Sequence, residues 1–148
     1  MPSSDHRIPL SPKVTDLFKT VLDILVIAVL SDDQTRDRER IEFVNCAQLH
    51  NRALHPDVIL TPTQLHHLFE DRAVVLSAAI ERDGLLAVQE RHLSMIIDRG
   101  MQRNILASIF AIAICDYELH DEERGLIKTA LSVWNSHLPD PAELEAVS

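Results

Sequence analysis

The chain has 148 residues, of which 46% are hydrophobic and 25% are charged. This composition predicts one folded domain with its own core and argues against disorder. The formal net charge of −9 makes nucleic acid and anionic membrane surfaces poor partners, because both would repel the chain.

The small numbers of glycines and aromatic residues favour an all-helical fold. The chain has only three glycines, whereas β-sandwiches and barrels need many turns. Cys46 and Cys115 lie far apart and form no Cys-x-x-Cys pair, so neither a disulfide framework nor a zinc site is predicted.

The first helix is predicted to begin at Ser11-Pro12, since serine can cap free amides and proline presets the first turn. Almost every residue from 17 to 30 is apolar, so this helix should be buried on most sides. The polar exceptions within it are Lys19, Thr20 and Asp23.

The next two helices have recognisable ends. Asp37 can cap the second helix, in which apolar residues recur every three or four positions until Pro56. Thr61-Pro62 begins the third helix, with a Thr-x-x-Gln capping box, and Gly84 is expected to end it.

The last three helices complete the predicted bundle. We expect Gly100 to break the fourth helix, and the fifth, over about residues 102–115, to be as apolar as the first. The sixth should run from Asp121 to about Ser136, with Trp134 on its inner face. The residues of the fourth helix expected to face inward are Leu86, Leu93, Ile96 and Ile97.

Together these elements predict a single-domain all-α bundle of about six to seven helices. Its first and fifth helices should pair in the core, because helices that are apolar all round must be buried. We expect residues 1–10 to be a flexible N-terminus, 11–136 the helical domain and 137–148 an acidic tail. No apolar run approaches the roughly 20 residues of a membrane span, and the polar N-terminus is no signal peptide, so a cytoplasmic location is expected.

The two halves of the chain share an acidic pattern, which predicts an internal pseudo-two-fold repeat. In each half an apolar helix ends in aspartate, and a Glu-Arg pair follows seven residues later. At an offset of 84 residues, Asp32 coincides with Asp116, Asp37 with Asp121 and Glu39 with Glu123. Each half should therefore present carboxylates in the segment between two helices.

These carboxylates are candidate ligands of a hard divalent cation, because calcium and magnesium prefer oxygen donors. The alternative is that they only cap helices, since free amides and the helix dipole favour acids at a helix start without any ion. Neither segment fits the twelve-residue EF-hand pattern. The candidate metal ligands are Asp32, Asp33, Asp37, Glu39, Asp116, Asp121 and Glu123.

Other chemistry is poorly represented, so an enzyme is not expected. The chain shows no Gly-rich phosphate loop, no G-x-S-x-G motif and no plausible Cys-His nucleophile pair. His66-His67 with Glu70 gives one His-x-x-Glu, whereas a di-iron centre needs Glu-x-x-His on two helices. We therefore predict no catalytic residue and no organic cofactor.

The two acidic stretches resemble those of the tellurite-resistance TerB-like family of helical domains. In that family each half has an Ala-Asp-Gly-like end to an apolar helix, a short loop and an acid-rich helix start. The matching stretches here are Ser31-Asp32-Asp33 through Glu39 and Cys115-Asp116-Tyr117 through Glu123. The order of helices also fits over about residues 14–134. The resemblance implies a non-enzymatic module linked to metal or tellurite stress, whose acidic residues bind divalent cations.

The residues that replace the family glycine distinguish the two loops. Asp33 stands in one and Tyr117 in the other, and aspartate adopts a left-handed backbone more readily than tyrosine. We therefore expect the first loop to keep the family turn and to hold the ion, while the second serves mainly as a helix cap.

Two functional hypotheses follow. In the first, the protein is a TerB-like module that binds calcium, magnesium or manganese through its acidic loops and acts in a stress response. In the second, it is an adaptor domain that binds a partner through an apolar groove, and the acidic loops are only helix caps. In both cases we expect a protein partner, with a homodimer as one candidate, and neither nucleic acid binding nor membrane insertion.

Overall fold

A computed structural model describes the backbone of residues 12–30, 37–114 and 121–134 and the side chains of residues 16–30, 37–114 and 125–134. These residues form six helices and, within the described ranges, no strand, so the predicted all-α fold is confirmed. The helices are α1 Pro12–Leu30, α2 Asp37–Leu54, α3 Pro62–Asp83, α4 Leu85–Leu93, α5 Arg99–Ile114 and α6 Asp121–Val133.

Helix α1 lies at the centre of the bundle. Every residue from 21 to 29 is buried, and α1 contacts α2, α3, α4 and α5. The apolar face of α5 packs against it, as predicted, but α5 is not buried on all sides as α1 is, since Phe110 is 42% and Ile114 is 53% exposed. Ile24 and Leu25 of α1 are buried, as are Ile109 and Ile112 of α5.

The signals that begin and end α3 are confirmed in detail. The Thr61 hydroxyl accepts the Gln64 N–H at 3.2 Å, and the Gln64 side chain accepts the Thr61 N–H at 2.9 Å. Gly84 ends the helix at φ +91°, ψ 150°, a backbone conformation almost restricted to glycine. Because α4 begins at the next residue, this glycine sets the angle between α3 and α4.

The prediction for the fourth helix was wrong in two respects. Helix α4 ends at Leu93, and the Met95 and Ile96 N–H groups donate to the carbonyls of His92 and Leu93 in a tight turn. Helical spacing therefore no longer applies beyond Leu93, and Ile97 is exposed rather than buried. Leu86, in the first turn of α4, is also exposed, whereas Leu93 and Ile96 are buried as expected.

Gly100 does not break a helix but lies inside α5. The Asp98 carboxylate accepts the Met101 N–H at 2.9 Å and so caps the first turn of α5, which begins at Arg99. The cap, rather than the glycine, determines where this helix begins.

Helix α6 closes the bundle against α4. The Trp134 indole N–H donates to the Leu93 carbonyl at 2.7 Å, and the Thr129 hydroxyl lies 3.1 Å from the Gln89 side-chain oxygen. The two helix pairs that the predicted internal repeat would relate are each in contact, α1 with α2 and α5 with α6.

The internal repeat itself stays a prediction. Among the described helices, none combines the length and the apolar character that crossing a bilayer would require.

Candidate functional site

The predicted metal ligands are only partly within the described residues. Asp32, Asp33 and Asp116 lie outside them, as does Tyr117, so neither acidic loop can be compared with its predicted turn. Asp121 and Glu123 lie in the first turn of α6, but their side chains are not described. Within the part of the chain that is described, no group of three His, Cys, Asp or Glu side chains could hold a metal ion.

The remaining two candidates, Asp37 and Glu39, both lie in the first turn of α2, where acids interact favourably with the helix dipole. Asp37 is exposed, whereas Glu39 is only 1% exposed. The next residue, Arg40, donates to the Glu70 carboxylate at 3.2 Å and lies 5.0 Å above the Phe69 ring. The start of α2 is thus held against α3, with one carboxylate inside the bundle.

A buried ionic network, which sequence reasoning did not identify, joins α1, α3 and α4. Asp23, 3% exposed, accepts two hydrogen bonds from Arg72, from Nε at 2.7 Å and Nη2 at 3.0 Å. His92 Nε2 lies 3.4 Å from the same carboxylate, and its Nδ1 lies 2.9 Å from the Val88 carbonyl oxygen. Both ring nitrogens therefore face acceptors, the arrangement that suits a protonated imidazole.

The pKa values within the network shift as this geometry requires. Burial raises the pKa of the Asp23 carboxyl, but hydrogen bonds from His92 and Arg72 outweigh it and leave the pKa below its ordinary value. The hydrogen bond to Asp23 raises the pKa of His92, and burial opposes that effect only in part. The network thus pairs a carboxylate with two cations, as a buried charge requires.

An apolar groove lies beside this network, between the start of α1 and the segment 94–98 that links α4 to α5. It is open to solvent, has a volume of about 370 Å³, and includes Met95 at 54% and Ile97 at 86% exposure. Thr20 forms its edge nearest Asp23, with its hydroxyl 3.8 Å from the Met95 sulfur. Among the described residues, its lining consists of Asp16, Leu17, Thr20, Met95, Ile96, Ile97, Asp98 and Met101.

The wall formed by residues 94–98 is held by hydrogen bonds. Besides the turn at its start, the Gln102 side-chain amide donates to the Ile96 carbonyl at 2.8 Å. Ile96 is buried beneath the segment, so its neighbours Met95 and Ile97 are presented outward on an anchored backbone. The groove is therefore preformed, which lowers the entropy lost when a ligand binds.

A second polar contact, between α2 and α5, offers no comparable opening. The His50 Nε2 and the Ser108 Oγ lie 2.9 Å apart, and the Cys46 Sγ lies 4.0 Å from the Ser108 carbonyl oxygen. His50 and Ser108 are both buried, and burial lowers the pKa of His50. A serine–histidine pair enclosed in this way satisfies polar groups in a helix interface and presents no surface to a substrate.

The sequence did contain a signal for the network and the groove. Thr20 and Asp23 are two of the three polar residues among residues 17–30, and both are turned toward α4 and the segment that follows it. A buried polar residue in such a helix needs a partner, but nothing in the spacing indicated Arg72 or His92.

No family model, curated protein or solved structure matches this chain. The TerB-like resemblance therefore stays a prediction from the sequence. What the geometry itself provides is a helical bundle with a preformed apolar groove next to a buried ionic network.

Proposed function

We propose that the protein is a non-enzymatic adaptor domain, which binds an apolar segment of a partner protein in the groove between α1 and residues 94–98. The observation that supports this proposal is the outward presentation of Met95 and Ile97 on an anchored backbone. Exposed apolar side chains grouped around a groove are typical of protein interaction sites. This is the second of the two hypotheses that the sequence left open.

The test is selection of helical peptides from a displayed library against the full chain, followed by affinity measurements on variants. Ile97→Glu should weaken the selected peptides about tenfold or more, because it places a charge where apolar contact is lost. Val74→Glu is the matched control, since Val74 is an exposed apolar residue of α3 that does not line the groove. Equal affinity for the two variants, or a selection that recovers no peptide, would contradict the proposal.

Divalent-cation binding is the second candidate, and the grouping of acids near the start of α2 favours it. Asp37 and Glu39 lie in the first turn of α2, and Asp32 and Asp33 precede them along the chain. Calcium and magnesium prefer such oxygen donors. In this proposal the ion is calcium, magnesium or manganese, and the chain is a TerB-like module of metal or tellurite stress. The first loop, with Asp32, Asp33, Asp37 and Glu39, would be the stronger site.

Thermal melting with each of the three ions tests the cation proposal. An ion bound only to the folded chain at about 100 times its Kd adds about 2.7 kcal/mol, which raises Tm by several degrees. Asp32→Asn with Glu39→Gln should abolish this rise, and Asp116→Asn with Glu123→Gln should reduce it less. Asp57→Asn, at an exposed acid of the α2–α3 connection, should leave it unchanged. A wild-type Tm unmoved by millimolar amounts of all three ions would rule the proposal out.

A further inference from the structure

We propose that the natural occupant of the groove is a basic amphipathic helix of a partner protein. Its apolar residues would contact Met95, Ile97 and Met101, and its lysines or arginines would lie opposite Asp16 and Asp98. This inference rests on the adaptor function proposed above and specifies the chemistry of the partner.

The charges at the groove select a basic partner. Of the eight described residues that line it, the two that are charged are both aspartates, Asp16 on α1 and Asp98 before α5. Both are exposed. Lys19, about one turn after Asp16, and Arg99, next to Asp98, do not line the groove. A chain of net charge −9 would also attract a basic partner at long range and repel an acidic one.

Asp98 is well placed to receive such a charge. One of its carboxylate oxygens accepts the Met101 N–H at 2.9 Å, which fixes the side chain at the start of α5. Since Asp98 is exposed, its second oxygen remains an acceptor for a lysine or arginine of the partner. The carboxylate is therefore positioned before binding and loses little freedom on contact.

The apolar lining indicates a helix rather than an extended peptide. Two of the three methionines of the chain, Met95 and Met101, line the groove, and methionine adapts its shape to the side chains of a docked helix. An extended peptide that binds by adding to a sheet edge would find no strand to pair with among the described residues. The walls are α1 and an anchored turn, which can contact side chains spaced three and four residues apart.

The experiment uses three synthetic helical peptides with one leucine face and a polar face of lysine, glutamine or glutamate. Binding to the full chain is measured by fluorescence anisotropy at low and at physiological salt. The lysine peptide should bind about tenfold more tightly than the glutamine peptide at low salt. Added salt should reduce this difference in affinity, because it screens the charges. The glutamate peptide should bind most weakly.

Variants test whether the groove carboxylates cause the tighter binding of the lysine peptide. Asp98→Asn keeps a good helix cap while it removes the charge, so each of Asp16→Asn and Asp98→Asn should weaken the lysine peptide about threefold. Each variant should change the affinity for the glutamine peptide by less than it changes the affinity for the lysine peptide. Asp71→Asn, at an exposed aspartate of α3 outside the groove, is the matched control and should leave the affinities for the lysine and glutamine peptides unchanged.

The outcomes separate this inference from the adaptor proposal. If all three peptides bind equally and Ile97→Glu weakens them all, the groove is an adaptor site without charge selection, and the inference is overturned. If none binds, the adaptor proposal fails as well. Self-association of the wild type that Ile97→Glu abolishes, measured by sedimentation, would assign the groove to a second copy and also overturn the inference.

Discussion

At the scale of single residues, His92 makes the stability of the protein depend on pH. Its pKa is raised by the Asp23 carboxylate, against the opposing effect of burial. A raised folded pKa means that the stabilising contribution is complete below the unfolded value of about 6.5 and is lost as pH rises through the folded value. Asp23, whose pKa is lowered, stays charged throughout this range.

We therefore predict that the contribution of His92 to the free energy of unfolding falls as pH rises above about 6.5, and that His92→Gln removes this decrease. Urea denaturation of both proteins at a series of pH values gives the comparison. An unchanged slope in the variant would show that the pKa of His92 is the same in the folded and unfolded chains, which would contradict its pairing with Asp23.

His50 should have the opposite effect on stability, because its contribution to the free energy of unfolding is lost as pH falls rather than as pH rises. Burial lowers its pKa, so the folded protein excludes a proton that the unfolded chain binds. Its contribution is present above the unfolded pKa of about 6.5 and is lost as pH falls toward the folded value. His50→Gln, which keeps a polar group near the Ser108 hydroxyl, should flatten the loss of stability between about pH 6.5 and 5. If the variant and wild type respond identically to acid, His50 titrates normally and is not enclosed as described.

At the scale of helices, the ionic network holds α3 and α4 against α1. Arg72→Met leaves the buried Asp23 carboxylate with only His92, and such a loss costs about 3–5 kcal/mol. The double variant Asp23→Leu with Arg72→Met removes both charges and should recover most of that stability. Chemical denaturation measures both. A double variant as unstable as the single one would show that packing around these side chains, rather than an unpaired charge, is responsible.

Two glycines provide a matched test of the helix ends. A Cβ at Gly84 or at Gly125 would meet no atom within 4 Å, so only the backbone distinguishes them. Gly84→Ala should destabilise by about 1–3 kcal/mol because φ is +91°. Gly125→Ala, inside α6, should stabilise by up to about 1 kcal/mol. Equal effects in thermal denaturation would contradict the positive φ at Gly84.

The helices themselves could be predicted because their signals are local. Thr61 with Gln64 caps α3, Gly84 ends it, and continuous apolar sequence identified α1 and α5 as core helices. The segment after α4 could not be predicted, because Leu93, Ile96 and Ile97 fit helical spacing although the chain turns at Ser94. The groove depends on that turn and on the contact between the turn and α1. Local sequence spacing cannot predict such a contact, because the two segments are far apart in the sequence.

At the scale of the whole molecule, a core of apolar side chains on α1 and α5 fixes the bundle, and few polar groups enter it. The described surface includes an apolar groove with a preformed wall, and an acid is buried at the start of α2. The account therefore places partner binding at the edge of α1 and leaves the acidic loops as a separate proposal. The two can be tested independently, because neither Asp37 nor Glu39, the predicted metal ligands whose side chains are described, lines the groove.

The most direct test of the central claim is a map of where an apolar helical peptide binds. The leucine–glutamine peptide, which carries no charge preference, is titrated into isotope-labelled protein and backbone amide shifts are followed by NMR. We predict that the largest changes occur at residues 16–20 and 94–101, and that Ile97→Glu suppresses them. Changes centred on exposed apolar residues elsewhere, such as Leu49 of α2 or Val74 of α3, or no changes at millimolar peptide, would contradict the account.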